Sequence, residues 1–259
     1  IRWWLYVWWV IISMKQSTEL KIEQQLNKKK TLVFALIDSE NTNMKDIDKF
    51  TTNLVNCGVS AILVGGSTVL DQLEIHKLVK SIKKNIKIPV ILFPGNVNGI
   101  TPEADAIFFS SLLNSLSTYF IIEAQMLGAA AIHKYNLETI PMGYLIIGDG
   151  GTTGFVGSAR TIPHNKSNIA VMYSLAAQYL GMRFLYLEAG SGVTSHVPVD
   201  MISHVKKVYN GKLIVGGGIK NVQDAVKISN AGADIIVIGT LLEKPGFEKI
   251  FSDIVSNIS

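Results

Sequence analysis

From Thr31 onward the chain repeats one unit eight times, an apolar run of strand length followed by a polar or amphipathic connection. The runs fall at 31–38, 61–66, 90–94, 106–110, 143–148, 184–189, 212–217 and 235–239. Helix-length segments fit between most of them, at 46–56, 71–84, 116–128, 167–180, 199–209, 221–231 and 246–257. Such alternation implies a parallel sheet, because each connection has to cross back over the sheet face before the next strand can start. Eight units are enough to close that sheet on itself. The expected fold is an α/β, modified TIM (β/α)8 barrel, and a chain of 259 residues suits a single domain of that kind, which usually needs about 250.

One unit is short. Between Pro94 and Ala106 there are eleven residues, interrupted by Gly95, Asn98, Gly99 and Pro102. No full helix fits there, so the third helix is expected to be missing or replaced by a loop. The resulting opening in the barrel's side would suit a long apolar ligand.

In a barrel of this kind the chemistry sits at the C-terminal ends of the strands. The sixth run, FLYLEAGSG at 184–192, is the most informative: a buried apolar strand ends in Glu188 and then in Gly190, Ser191 and Gly192. An acid beside glycines that admit close backbone approach is what a polar substrate requires. Glycines after the seventh and eighth runs (Gly216, Gly217, Gly218 and Gly239-Thr240) are placed as a phosphate cradle, where amide N–H groups face an anion. Asp38 and Ser67 end adjacent strands, so a carboxylate and a hydroxyl are expected to share a hard cation such as Mg²⁺, which prefers oxygen ligands and phosphates. Asp149 is a second acid candidate. The five histidines form no ligand pair, and only His196 lies near the site in sequence.

Apolar residues make up 48% of the chain and charged ones 17%, enough for a large core and too apolar for a disordered chain. The net charge of +4 is spread out, and the short lysine runs have no aromatic residues interleaved, so nucleic acid is not an expected partner. A single cysteine, Cys57, excludes an internal disulfide and fits a reducing, cytoplasmic compartment. Residues 1–13 begin with IRWWLYVWWVII, which is too short for a membrane span of roughly 20 residues. They are set apart from the barrel domain of 14–259 as an apolar N-terminal extension: upstream sequence foreign to the native protein, the remnant of a leader, or an anchor at the membrane surface.

Taken together, LIDSENTN (36–43), ILVGGST (62–68), ILFPGN (91–96), ADAIFFSSLLNS (104–115), PMGYLIIGDGG (141–151), ARTIPHNK (159–166), YLEAGSG (186–192), LIVGGGIK (213–220) and DIIVIGT (234–240) resemble the geranylgeranylglyceryl phosphate synthase family, which includes the bacterial heptaprenylglyceryl phosphate synthases. Some members of that family carry a lysine two residues before the first-strand acid. Leu36 stands there in this chain, which is therefore similar to the subgroup with DGG and YLEAGSG motifs.

The resemblance implies an Mg²⁺-dependent transfer of a long prenyl group from its diphosphate to the sn-3 hydroxyl of sn-glycerol 1-phosphate. It implies Asp38 and Ser67 as metal positions. For the glycerol phosphate it implies Tyr186, Leu187, Glu188, Ala189, Gly190, Ser191, Gly192, Gly217, Gly218, Gly239 and Thr240, with Glu188 catalytic. Phe93, Phe108, Phe109 and Tyr144 are candidates for an apolar trough around the prenyl tail, and a homo-oligomer, dimer or higher, is expected. Two other readings share the barrel: an enzyme acting on a sugar phosphate, and a membrane-tethered protein that binds a phosphorylated ligand without chemistry.

Overall fold

The structure, a computed structural model, describes residues 17–39, 44–66 and 71–258. The N-terminal extension 1–13 and Ser67 lie outside the described residues.

Eight parallel strands close in sequence order, β1 (Leu32–Asp38), β2 (Ala61–Gly66), β3 (Val90–Pro94), β4 (Ala106–Leu112), β5 (Glu138–Gly150), β6 (Phe184–Ser191), β7 (Lys212–Gly216) and β8 (Ile235–Ile238), with β8 pairing back onto β1. The helices are α1 (Ser17–Leu26), α2 (Ile47–Asn56), α3 (Gln72–Asn85), α4 (Ala124–Tyr135), α5 (Gly151–Val156), α6 (Ser167–Tyr179), α7 (Val199–Lys206), α8 (Val222–Asn230) and α9 (Phe247–Ile258). Between β3 and β4 there is only a 3-10 turn, Val97–Gly99, as the eleven-residue spacing requires.

Alternating side chains along each strand build two cores. Phe34, Leu63, Ile91, Phe108, Met142, Phe184 and Ile214 fill the barrel interior, and Val33, Val64, Leu92, Leu185, Val215 and Ile236 face the helical layer. Strand β5 runs well beyond the expected 143–148 at both ends. Its first residues pair with β4, from Ala106↔Glu138 to Leu112↔Tyr144, even though Pro141 reads as a strand breaker. Helix α4 ends seven residues later than the expected 128 and is entered through a π-helical turn, Tyr119–Glu123.

Helix α1 closes the bottom of the barrel. Ile22 is fully buried in the interior core, with Leu26 packed beside it. The first amides of the helix, those of Thr18 and Glu19, donate to the Glu138 carboxylate at 2.8 and 2.9 Å, so a side chain at the foot of β5 satisfies two donors left over at a helix start. Glu19 in turn receives Arg183 at 2.6 and 2.7 Å in a fork that ties α1 to the foot of β6. Ile22→Ala should therefore lower the unfolding free energy by about 2–4 kcal/mol, read as a lower denaturant midpoint with an unchanged slope.

Candidate active site

A cleft of about 260 Å³ opens over the C-terminal ends of the strands. Asp38, Tyr186, Glu188, Gly190, Ser191, Gly192, Gly217, Gly218, Gly239 and Thr240 all line it. Leu187 and Ala189 do not. Their side chains point the other way, into the core under the helices, because successive residues of a strand face opposite sides of the sheet. Asp149 is exposed and is not among the residues lining the cleft. His196 turns aside to Val197 O (2.7 Å) and Asp224 (3.8 Å).

Glu188 is 6% exposed. The Gly190 amide donates to its Oε1 at 2.6 Å. Burial pushes its carboxyl above the usual carboxylate range, and the Gly190 amide and the hydroxyls of Tyr186 and Tyr144 pull it part of the way back. Both phenols are themselves held well above the ordinary tyrosine value, first by burial and then by the Glu188 charge.

The glycines make room for this carboxyl. A Cβ on Gly217 would lie 2.3 Å from Glu188 Oε1, and one on Gly216 would lie 2.0 Å from the Tyr186 hydroxyl. Gly217 and Gly218 also have φ of +80° and +69°, a conformation that disfavours any side chain. The GGG run therefore leaves space for the acid and its tyrosine, and Gly217 and Gly218 line the cleft. Two residues missing from the expected set, Lys220 and Lys244, also line the cleft and add positive charge on the side of these loops. Lys220 stands in the GGGIK motif, where the glycines drew the reading away from the lysine.

Away from the glycines the cleft turns apolar. Phe93 stacks on Tyr186 (centroids 5.4 Å, planes 19° apart) and meets Phe108 and Tyr144 edge-on, forming an aromatic floor. Beyond it the lining includes Ile107 and Phe109, which point outward from β4, together with Phe120, Gly128 and Ile132. Inward-facing Phe108 and outward-facing Phe109 can meet one cleft only where no helix covers the outside of the strand. The missing third helix supplies that condition.

Among the described residues no cluster of three His, Cys, Asp or Glu side chains could cage a metal. One carboxylate at the rim still suits Mg²⁺, which keeps several waters and is commonly held by one or two carboxylates together with substrate phosphates. Asp38 supplies such a carboxylate, in register with Gly65 of β2, two residues before Ser67.

Residues 24–258 match the family model described as the PcrB family. The chain belongs to that family. PcrB-family similarity extends to a geranylgeranylglyceryl phosphate synthase of Nitrosopumilus maritimus, 55% identical over 242 residues that cover 93% of this chain and 97% of that one. The Pyrococcus furiosus protein of the same name is 50% identical, with 89% and 91% covered. The solved (S)-3-O-geranylgeranylglyceryl phosphate synthase of Thermoplasma acidophilum, in complex with its substrate sn-glycerol-1-phosphate, superimposes with a TM-score of 0.88 at 36% identity over 92% of this chain and 96% of that one. A tryptophan synthase α-subunit of Pyrococcus furiosus, at 14% identity and a TM-score of 0.60, shares the barrel alone.

The raised Glu188 carboxyl sets the sign of a stability test. Its protonated form is favoured in the fold, so ionisation costs the folded state more as pH rises, and neutral Gln escapes that cost. Glu188→Gln should raise the melting temperature at neutral pH, and the gain should vanish as pH falls below the ordinary glutamate range.

Proposed function

We propose that this chain is a prenyltransferase that joins a long-chain prenyl diphosphate, geranylgeranyl diphosphate, to the sn-3 hydroxyl of sn-glycerol 1-phosphate. Pyrophosphate leaves, and the first ether bond of an ether-linked membrane lipid is formed. The observation that carries this reading is the two-part cleft: a buried acid among glycine loops and lysines, continuous with an apolar trough that runs over an uncovered strand. A sugar phosphate enzyme has no use for that trough.

In this reading the amides of Gly218 and Gly239, with Lys220, receive the glycerol phosphate. Glu188 accepts the proton of the sn-3 hydroxyl as its oxygen bonds to the allylic carbon, and the carbon–oxygen bond to the diphosphate breaks with its electron pair leaving on pyrophosphate. Burial suits Glu188 to this role, because desolvation raises its affinity for the proton while the Gly190 amide keeps it aimed. Phe93, Phe109 and Ile132 shelter the prenyl tail and keep water from the allylic carbon. Asp38 and Ser67 would hold Mg²⁺, which when bound neutralises diphosphate charge. The enzyme works in the cytoplasm as a homo-oligomer, with peripheral contact to the membrane that receives its product. Among the described residues no helix is long and apolar enough to cross a membrane.

The deciding assay offers geranylgeranyl diphosphate with sn-glycerol 1-phosphate or sn-glycerol 3-phosphate in parallel, with and without EDTA. Ether product is expected only from the 1-phosphate and only with metal. No product with either acceptor, from folded protein and across a series of donor lengths, would overturn the reading. Glu188→Gln should lower kcat by about 10²–10⁴-fold, the range for loss of a positioned base. In Gly128→Leu the new side chain enters the trough, where even a Cβ would lie 2.8 Å from Ile100 Cδ1. That variant should raise the KM for the prenyl donor by roughly tenfold or more while leaving the KM for glycerol phosphate unchanged.

A further inference from the structure

The foot of the barrel, at the N-terminal ends of the strands, carries positive charge that nothing in the fold uses. Acids near the strand starts are engaged: Glu138 holds the first amides of α1, Glu19 holds Arg183, Asp105 pairs with Lys83 at 2.9 Å and Asp234 with Lys206 at 2.6 Å. Helix α1 sorts its side chains into stripes. Ile22 and Leu26 turn inward to the core, Glu19 and Glu23 stand one turn apart on a second face, and Lys21, Gln24, Gln25 and Lys28 follow one another at intervals of three and four. Lys28 lies just past the helix, in a turn closed by its amide on Gln25 O at 3.0 Å. This last stripe and Lys87, three residues before β3, border a groove of about 220 Å³. Lys21, Lys28 and Lys87 are exposed, and among the described residues no ion pair holds any of them. Lys84 and Lys134, in the last turns of α3 and α4, are exposed at the same end.

The apolar trough leads towards this end. Phe120, Ala124, Gly128 and Ile132 line it at intervals of four, and Ile132 stands three residues from the end of α4 at Tyr135. Ile107, the second residue of β4, lines it from the strand side. The trough thus descends the side of the barrel from the rim almost to the level of the strand starts. We infer that the foot of the barrel is a docking face for a bilayer that contains anionic phospholipids, with Lys21, Lys28 and Lys87 as its headgroup contacts. Lysines are mobile point charges on apolar stems, which suits a fluid array of phosphates better than one fixed anion. Each adds to the attraction of a basic patch for such a surface. Docked on this face, the barrel brings the lower end of its trough close to the hydrocarbon from which a prenyl chain has to be drawn. That link rests on the prenyl transfer proposed above; the docking itself does not.

The test is co-sedimentation of the full chain with vesicles of phosphatidylcholine alone or of an equal mixture with phosphatidylglycerol. Wild type should bind the mixed vesicles, lose them as salt is raised, and bind the neutral ones far less. Combining Lys21→Glu, Lys28→Glu and Lys87→Glu should weaken binding to the mixed vesicles by about tenfold or more. A control with the same change in net charge, Lys77→Glu, Lys166→Glu and Lys249→Glu at exposed positions away from the foot, should keep it. If the reversed foot does not fold, the milder set Lys21→Gln, Lys28→Gln and Lys87→Gln decides. With the prenyl donor dispersed in detergent the reversed foot should turn over like wild type, and with the donor in mixed vesicles it should be slower. Equal binding to neutral and mixed vesicles, indifferent to the reversal, would assign attachment to the apolar extension 1–13 and overturn the inference. No binding to mixed vesicles, or an equal loss in the control, would overturn it too. A wild type that docks through these lysines but transfers no prenyl group would remove the synthase reading and leave the docking face.

Discussion

A carboxyl group taken out of water has to find substitutes for the water it loses, and the rim of this barrel is arranged around that requirement at Glu188. The Gly190 amide is the nearest substitute, at 2.6 Å. Two tyrosines on neighbouring strands are the others; Tyr186 occupies space that glycine at 216 leaves, and the acid itself occupies space that glycine at 217 leaves. The acid, its donors and the glycines therefore form one packing unit. A methyl group on Gly217 would strike the acid as well as the Gly190 backbone. The compensation is partial, and Glu188 keeps a raised preference for the proton.

The second constraint is an absence. In a complete barrel every outer strand face lies under a helix, and a crossover too short to form one leaves apolar side chains uncovered. Here the short connection after β3 leaves the outer face of β4 open on one side, and the π-helical turn and α4 stand beyond it as a far wall. That wall presents the small residues Ala124 and Gly128 between Phe120 and Ile132. That apolar surface is continuous with the polar rim of the cleft. The opposite end of the barrel has no such opening: Ile22 of α1 closes it, and the Glu138 and Arg183 contacts hold that helix in place. Among the described residues the barrel is thus sealed at the foot and open at the top and along one side.

Much of this was legible in the sequence because it depends on local pattern. Apolar runs of strand length mark all eight strands, and a count of eleven residues suffices to rule out the third helix. Glu188 stands out because it is the single charged residue in the run FLYLEAGSG. Boundaries were less legible. Strand β5 continues through Pro141 because its foot pairs with β4, a long-range pairing that outweighs the local signal of a breaker. Helix α4 runs seven residues past its expected end. Lys220 and Lys244 were missed because no local pattern marks a lysine that happens to border a cleft.

The sequence alone determined the barrel, its open side and the strand ends that line the cleft, since each follows from the order and spacing of neighbouring residues. Only the tertiary structure decided what individual side chains do there. It turned Leu187 and Ala189 away from the cleft, packed Tyr144 edge-on against Tyr186 at the base of the acid's strand end, and gave Gly216 and Gly217 a steric task beside the acid and its tyrosine. The physical reason is that these roles are contacts between strands far apart in the chain. A strand end announces itself through its own residues, but the volume a glycine leaves free has meaning only once the neighbouring strand's side chain is there to fill it.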